Sequence, residues 1–246
     1  PIADRKLLKS AVSPSAYMGN VKHSGRSRGG TQIIRFMTLQ QWRRLLSAVD
    51  CYEHKLMLRL IYELGCRVSE FTNIQLGHVD FDQSTILFPA AHTKTGHERT
   101  SHVPRELMND LREHLRREGR IGRRSGRVRN PTSCLFRSID LRTPGMTPNR
   151  VRQIFRRYSL KAGLDRSYGQ DSQGRSLHTL SVHSLRHSHI MHAIHEYKIP
   201  VPIVQRQVGH KTLDAAMGYC RPTDEMVADQ YEKARGQHEV MVDAKY

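Results

Sequence analysis

The chain has 246 residues, with 40 Lys and Arg against 23 Asp and Glu and a formal net charge of +17 at neutral pH. That length accommodates one large domain, or one domain with an arm, and argues against a second full domain. So basic a balance points to a polyanionic partner, with a membrane surface as the weaker candidate.

Residues 1–37 carry Arg5, Lys6, Lys9, Lys22, Arg26, Arg28 and Arg35 among Ser, Gly and Pro, and read as a basic N-terminal arm or linker. From Thr38 the pattern turns helical: Leu39, Trp42, Leu45, Leu46 and Val49 share one face, with Thr38 as the N-cap. A second helix places Leu56, Met57, Leu60, Ile61 and Leu64 together and ends near Gly65. Its apolar run is interrupted by Arg59 and Glu63, and no segment reaches the roughly 20 apolar residues of a membrane span. Nor does the N-terminus hold the apolar core of a signal peptide.

Short strands are expected at Thr85–Phe88 and Thr100–Val103, with a turn at Thr95-Gly96-His97 that presents Lys94 near its tip. Glu106–Arg117 reads as a helix, and Arg120–Asn130 as a basic, glycine-containing loop too polar to pack. Val151, Ile154, Phe155 and Tyr158 mark another amphipathic helix, and 164–180 reads as a polar connection. Val182–Tyr197 should be helical, Pro200 and Pro202 open the next helix, and Asp224–Ala234 forms a last one. Cys51, Cys66, Cys134 and Cys220 lack paired spacing, so neither a disulfide framework nor a zinc module is indicated. The expectation is a protein with reduced thiols, cytoplasmic and associated with the nucleoid.

Chemistry concentrates late in the chain, where His183-Ser184-Leu185-Arg186-His187 is followed by Val208-Gly209-His210 and then by Tyr219. A planar guanidinium can clamp two phosphate oxygens, an imidazole exchanges protons near neutral pH, and a phenol can act as a covalent nucleophile. On a strongly basic protein this set suits chemistry on a phosphodiester. His183 and His187 are four residues apart, with His189, His192 and His195 beyond, but no H-E-x-x-H occurs and no carboxylate precedes Glu196. The later histidines therefore read as helix surface or motif context, and no metal is expected.

These residues, with Gly65-Cys66-Arg67-Val68-Ser69-Glu70 and the Thr-Lys-Thr-Gly around Lys94, resemble the catalytic domain of the tyrosine recombinase (phage lambda integrase-like) family. The likeness runs from about Thr38 to Tyr219; Cys66 and Val208 stand where leucine is commoner. It implies an α+β, mainly α-helical fold with one small antiparallel sheet, divided as arm 1–37, catalytic domain 38–222 and tail 223–246, the tail expected to serve as a helix exchanged between protomers. It also implies a site-specific DNA recombinase or integrase that cleaves and rejoins strands through a 3′-phosphotyrosine, with Tyr219 as nucleophile. Arg67 and Arg186 would stabilise the transition state, Lys94 protonate the leaving oxygen, His183 assist deprotonation of Tyr219, His210 bind the phosphate and Glu70 orient its neighbours. No cofactor is implied. The partners would be double-stranded DNA and further copies of the chain in a tetrameric synapse, with no membrane. The family's separate DNA-clamping domain is expected to be absent, because so little precedes the likeness. Two other readings remain: a type IB topoisomerase-like enzyme sharing the Arg-Lys-Arg-His-Tyr set, and a non-catalytic DNA-binding module built on helices around Ile199–Met217.

Overall fold

The computed structural model describes residues 35–94, 96–122, 124–138, 143–170, 173–174 and 176–210, together with 20–21, 32–33, 231–232 and 235. The chain divides into two units, Arg35–Met217 and a second comprising Pro1–Ile34 with Gly218–Tyr246. In the second unit β1 (Asn20–Val21) and β2 (Gln32–Ile33) pair antiparallel, so the expected basic arm contains a short strand pair. Of the helix expected over 224–234, residues 231 and 232 are helical and the rest lies outside the described residues.

The larger unit opens with α1 (Leu39–Ala48), which starts where the sequence places it. Thr38 Oγ1 accepts from Gln41 N at 3.2 Å while Gln41 Oε1 accepts from Thr38 N at 2.9 Å, closing a capping box. α2 (Tyr52–Leu64) follows and ends at Gly65 in the left-handed region, φ 54°. After α3 (Val68–Thr72) and a 3₁₀ turn (Leu76–His78) come β3 (Val79–Asp80), β4 (Thr85–Phe88), a second 3₁₀ turn (Ala90–His92) and β5 (Arg99–His102). α4 (Arg105–Arg117), α5 (Pro148–Lys161), β6 (Ser167–Gln170), β7 (Ser176–His178), α6 (Val182–Met191), a π-helical turn (His192–Glu196) and α7 (Val201–Val208) complete the unit.

α2 is the centre of the core. Leu56, Met57, Leu58, Leu60, Ile61 and Leu64 are all at most 2% exposed, because α4, α6 and β5 cover different sides of the helix. Truncating any one of these leucines to Ala would cost about 2–5 kcal/mol. Trp42 of α1 stacks on Tyr62 of α2 with ring centroids 4.5 Å apart. The three strands run antiparallel in the order β3-β4-β5, with Val79 opposite Ile86 and Phe88 opposite Arg99. Ile86 and Phe88 point into the core, while Thr85 and Leu87 are only partly covered.

Several expectations need correction. The sheet has a third strand, β3, and 164–180 is not merely a connection, because β6 and β7 form a hairpin within it. The basic stretch after α4 was expected to be too polar to pack, yet Arg120 is 4% and Ile121 1% exposed. Arg120 Nη1 donates to the Leu135 carbonyl at 2.7 Å, and Nη2 donates to the Cys134 carbonyl and to Ser133 Oγ. A guanidinium with several donors thus satisfies a run of backbone acceptors that no strand pairs. Among the described residues no helix is long and apolar enough to cross a membrane, and Cys51, Cys66 and Cys134 are free thiols.

Removing the Arg120 strut should leave those carbonyls unmet, so Arg120→Ala is expected to lose about 3 kcal/mol of stability. Urea denaturation would show this as a lower midpoint with an unchanged slope. A wild-type midpoint would mean that water replaces the guanidinium without loss.

Candidate active site

Three helix ends meet around one arginine. α2 stops at Gly65 (φ 54°), α7 stops at Gly209 (φ 69°), and α6 begins beside them. Arg186, in the second turn of α6 and 2% exposed, donates Nη1 to the Gly65 carbonyl at 2.6 Å and to the Val208 carbonyl at 2.7 Å. Gly65 is required there twice. Its backbone is left-handed, and a Cβ would lie 2.6 Å from Val208 Cγ1 and 2.9 Å from His189 Cδ2.

Arg67 caps α3, whose first turn carries Glu70, only 1% exposed. The Glu70 carboxylate accepts from Arg67 Nη1 at 2.7 Å, from the Arg67 backbone N–H at 3.1 Å and from Arg99 Nη2 at 2.7 Å. Burial pushes this carboxyl up, but the charge and hydrogen bond of Arg99, together with Arg67, outweigh it and hold the group below its usual value.

His183 lies in the first turn of α6, its ring edge-on to His187 with centroids 4.4 Å apart. Crowding by the surrounding protein, and then the charges of Arg186 and Arg67, hold its imidazole below the ordinary value, although part of the ring still meets solvent. His210, directly after the Gly209 turn, is driven down to about 3 by burial first and then by Arg186, Arg67, His183 and Arg99. Both rings are therefore neutral at pH 7. Arg67, Glu70, His183, Arg186 and His210, far apart in the chain, are brought within electrostatic reach of one another.

Lys94 stands exposed on the turn between the second 3₁₀ segment and β5. Thr93 Oγ1 donates to the carbonyls of Ala90 and His97 and closes that turn. Tyr219 lies outside the described residues.

Sequence reasoning missed Arg99 and Gln207. Arg99 shares a strand face with Ser101 and Val103, both fully buried, and a basic residue on that face was the available signal. Gln207 accepts from His102 N at 2.9 Å and donates to His102 O at 2.8 Å, while Ser101 Oγ donates to the Gln207 carbonyl at 2.7 Å. These bonds lash α7, and with it His210, to β5.

Two of the later α6-region histidines are not helix surface. His192 is 2% exposed and its Nδ1 lies 2.7 Å from Tyr62 Oη, while His189 packs edge-on against the Tyr62 ring. Among the described residues the one three-membered group with metal-ligand geometry is Glu53, His114 and Glu118, which shares no member with the recombinase-like motifs. Glu118 there already pairs with Arg120 at 3.3 Å.

A depressed carboxyl pKa gives a defined pH signature. The stability that Glu70 confers is present above its unfolded value of about 4.3 and is lost as pH falls through the lower folded value. Glu70→Gln should cost about 3–5 kcal/mol at pH 7, because two guanidiniums lose their shared counter-charge. Urea midpoints measured from pH 7 to pH 3 should show a shallower acid decline in the variant. An acid decline as steep as that of wild type would mean that Glu70 is not the titrating group.

Known proteins share this architecture. The crystal structure of XerA recombinase superposes with a TM-score of 0.60 at 19% identity, covering 82% of this chain and 65% of that one. A lambda integrase dimer bound to a COC′ core site gives 0.54 at 17% identity, covering 78% and 50%. Tyrosine recombinase XerA of Pyrococcus furiosus is 24% identical over 200 residues, covering 80% of this chain, and the chain spans 61% of that relative's length. Residues 35–226 match the phage integrase family, a span that contains the whole of the larger unit, and the chain belongs to that family.

Proposed function

We propose that this chain is the strand-cleaving and strand-joining unit of a site-specific DNA recombinase, acting through a 3′-phosphotyrosine. The observation that carries the reading is the convergence of Arg67, Arg186, His183 and His210 on one spot, with Glu70 the one carboxylate among them in the described residues. Such a site is strongly cationic and suits a phosphodiester passing through a more highly charged transition state.

In this mechanism the Tyr219 oxygen attacks the scissile phosphorus, a P–O bond to the phenol forms, and the P–O5′ bond breaks. Lys94 gives a proton to the departing 5′-oxygen, and its exposure on the β5 turn suits a group that must reach DNA. His183, neutral at pH 7, can accept the phenolic proton, and an arriving phosphate would raise its basicity by adding negative charge nearby. His210, also neutral, can donate a ring N–H to a phosphate oxygen. Reversal with another strand's 5′-hydroxyl rejoins the backbone without an external energy source, because the phosphotyrosine keeps the bond energy.

The substrate in this reading is double-stranded DNA, consistent with the net charge of +17 and with the DNA-bound lambda integrase that shares the fold. Exchange between two sites requires several copies of the chain on paired DNA, and we assign the chain to a tetrameric synapse in which the tail 223–246 contributes contacts between copies. The arm 1–37 would add phosphate contacts.

The direct test uses a nicked suicide duplex recovered from a random-sequence pool by covalent capture on the wild-type protein. Tyr219→Phe should bind this duplex and form no adduct. Arg67→Lys keeps the charge and loses the fork, so its adduct rate should fall about 10²-fold or more with little change in affinity. An adduct from Tyr219→Phe would end the mechanism, and supercoil relaxation without paired sites would turn the reading toward a type IB topoisomerase-like enzyme.

Lys94→Ala should cleave the ordinary duplex slowly and a duplex with a 5′-bridging sulfur at nearly the wild-type rate, since a thiolate leaves without an acid. Equal defects on both substrates would move the general-acid role to another residue.

A further inference from the structure

Arg99 is more than nine-tenths buried, with its side chain 8% exposed, and it touches two corners of the site at once. On one side its Nη2 donates to Glu70 Oε2 at 2.7 Å, the carboxylate that also holds Arg67. On the other it underlies the glycine preceding His210: a Cβ on Gly209 would lie 2.8 Å from Arg99 Cδ and 2.9 Å from Nε and Nη1. Its guanidinium lies 4.1 Å from the centroid of the Phe88 ring, which fixes the remaining face. Its Nη2 is committed to Glu70 and one face to Phe88, whereas Arg186 Nη1 is held by two helix-end carbonyls, so the two arginines are differently placed.

We propose that Arg99 is a positioning residue that sets the Arg67 and His210 corners of the site relative to each other. Through Glu70 it fixes the direction of the Arg67 guanidinium. Through Gly209 it fixes how closely the His210 turn approaches β5. The planar group does both from one rigid strand, which a flexible ammonium could not. Only glycine at 209 leaves room for this packing, and its left-handed φ of 69° makes the same demand independently.

This inference rests on the strand-cleavage reading, and the experiment separates the two. Arg99→Met keeps aliphatic bulk beneath Gly209 and beside Phe88 but removes the charge and the donors; Arg99→Lys keeps the charge alone. Adduct formation is followed on the same captured suicide duplex, at saturating DNA, across pH. Arg99→Met should slow the rate roughly 10- to 100-fold, the range for one charge-assisted hydrogen bond, while the DNA dissociation constant changes much less. Because Glu70 loses one of its two cations, the acid limb of the rate profile should also move to higher pH. Arg99→Lys should lie between the variant and wild type on both measures. If Arg99→Met does not fold, Arg99→Lys decides: a wild-type rate and profile there overturn the proposal. A wild-type rate in Arg99→Met, or a slowed rate with an unmoved acid limb, overturns it as well. Wild-type protein that captures no duplex from the pool refutes the strand-cleavage reading and this inference with it, whereas wild-type capture with undisturbed Arg99 variants refutes this inference alone.

Discussion

A guanidinium can be buried only where its donors are met, and Arg186 meets the need with carbonyls at the C-terminal ends of two helices. Those ends carry the negative poles of α2 and α7, each equivalent to roughly half a charge. They ease the burial of a cation without cancelling it, as a carboxylate partner would. The positive charge thus remains available to an anion, and three distant stretches of sequence are fixed to one another in the same stroke. Displacing either helix end would strand a buried charge, at a cost of about 3–5 kcal/mol. Both helices therefore end in a left-handed glycine that turns its carbonyls toward this point.

The rest of the site follows from the surplus of charge that this arrangement preserves. Glu70 is shared by Arg67 and Arg99. Burial first, and the surrounding positive charge second, keep His183 and His210 neutral, each able to accept at one nitrogen and donate at the other. In the proposed mechanism an incoming phosphate would change that electrostatic setting, coupling proton affinity at the site to occupancy. The cations would then discriminate by charge, and the histidines would supply proton transfer only where that charge has been met.

The parts legible in the sequence are those governed by local rules. The Thr38 cap, the Gly65 stop, β4, α4 and α5 all announce themselves through capping residues or periodicity. β3 has two residues and α3 five, too short for any period to register. The burial of Arg120 depends on the carbonyls of 134 and 135, and that of His192 on a tyrosine 130 positions away, and a linear pattern holds no trace of either partner. Among the proposed site residues the family-like motifs pointed to Arg67, Glu70, Lys94, His183, Arg186 and His210, of which the structure brings all but the exposed Lys94 into mutual electrostatic reach. Those motifs passed over Arg99 and Gln207, whose roles consist entirely of where they pack.

The Gln207 side chain has a consequence beyond the site. β5 is the outer strand of the β3-β4-β5 sheet, and the N–H and C=O of His102 on its open side would otherwise be free to pair with a foreign strand. The Gln207 amide mimics a peptide group and occupies both. An unguarded strand edge is a template for uncontrolled self-association. By closing this one with a side chain, the fold keeps that strand edge from nucleating aggregates.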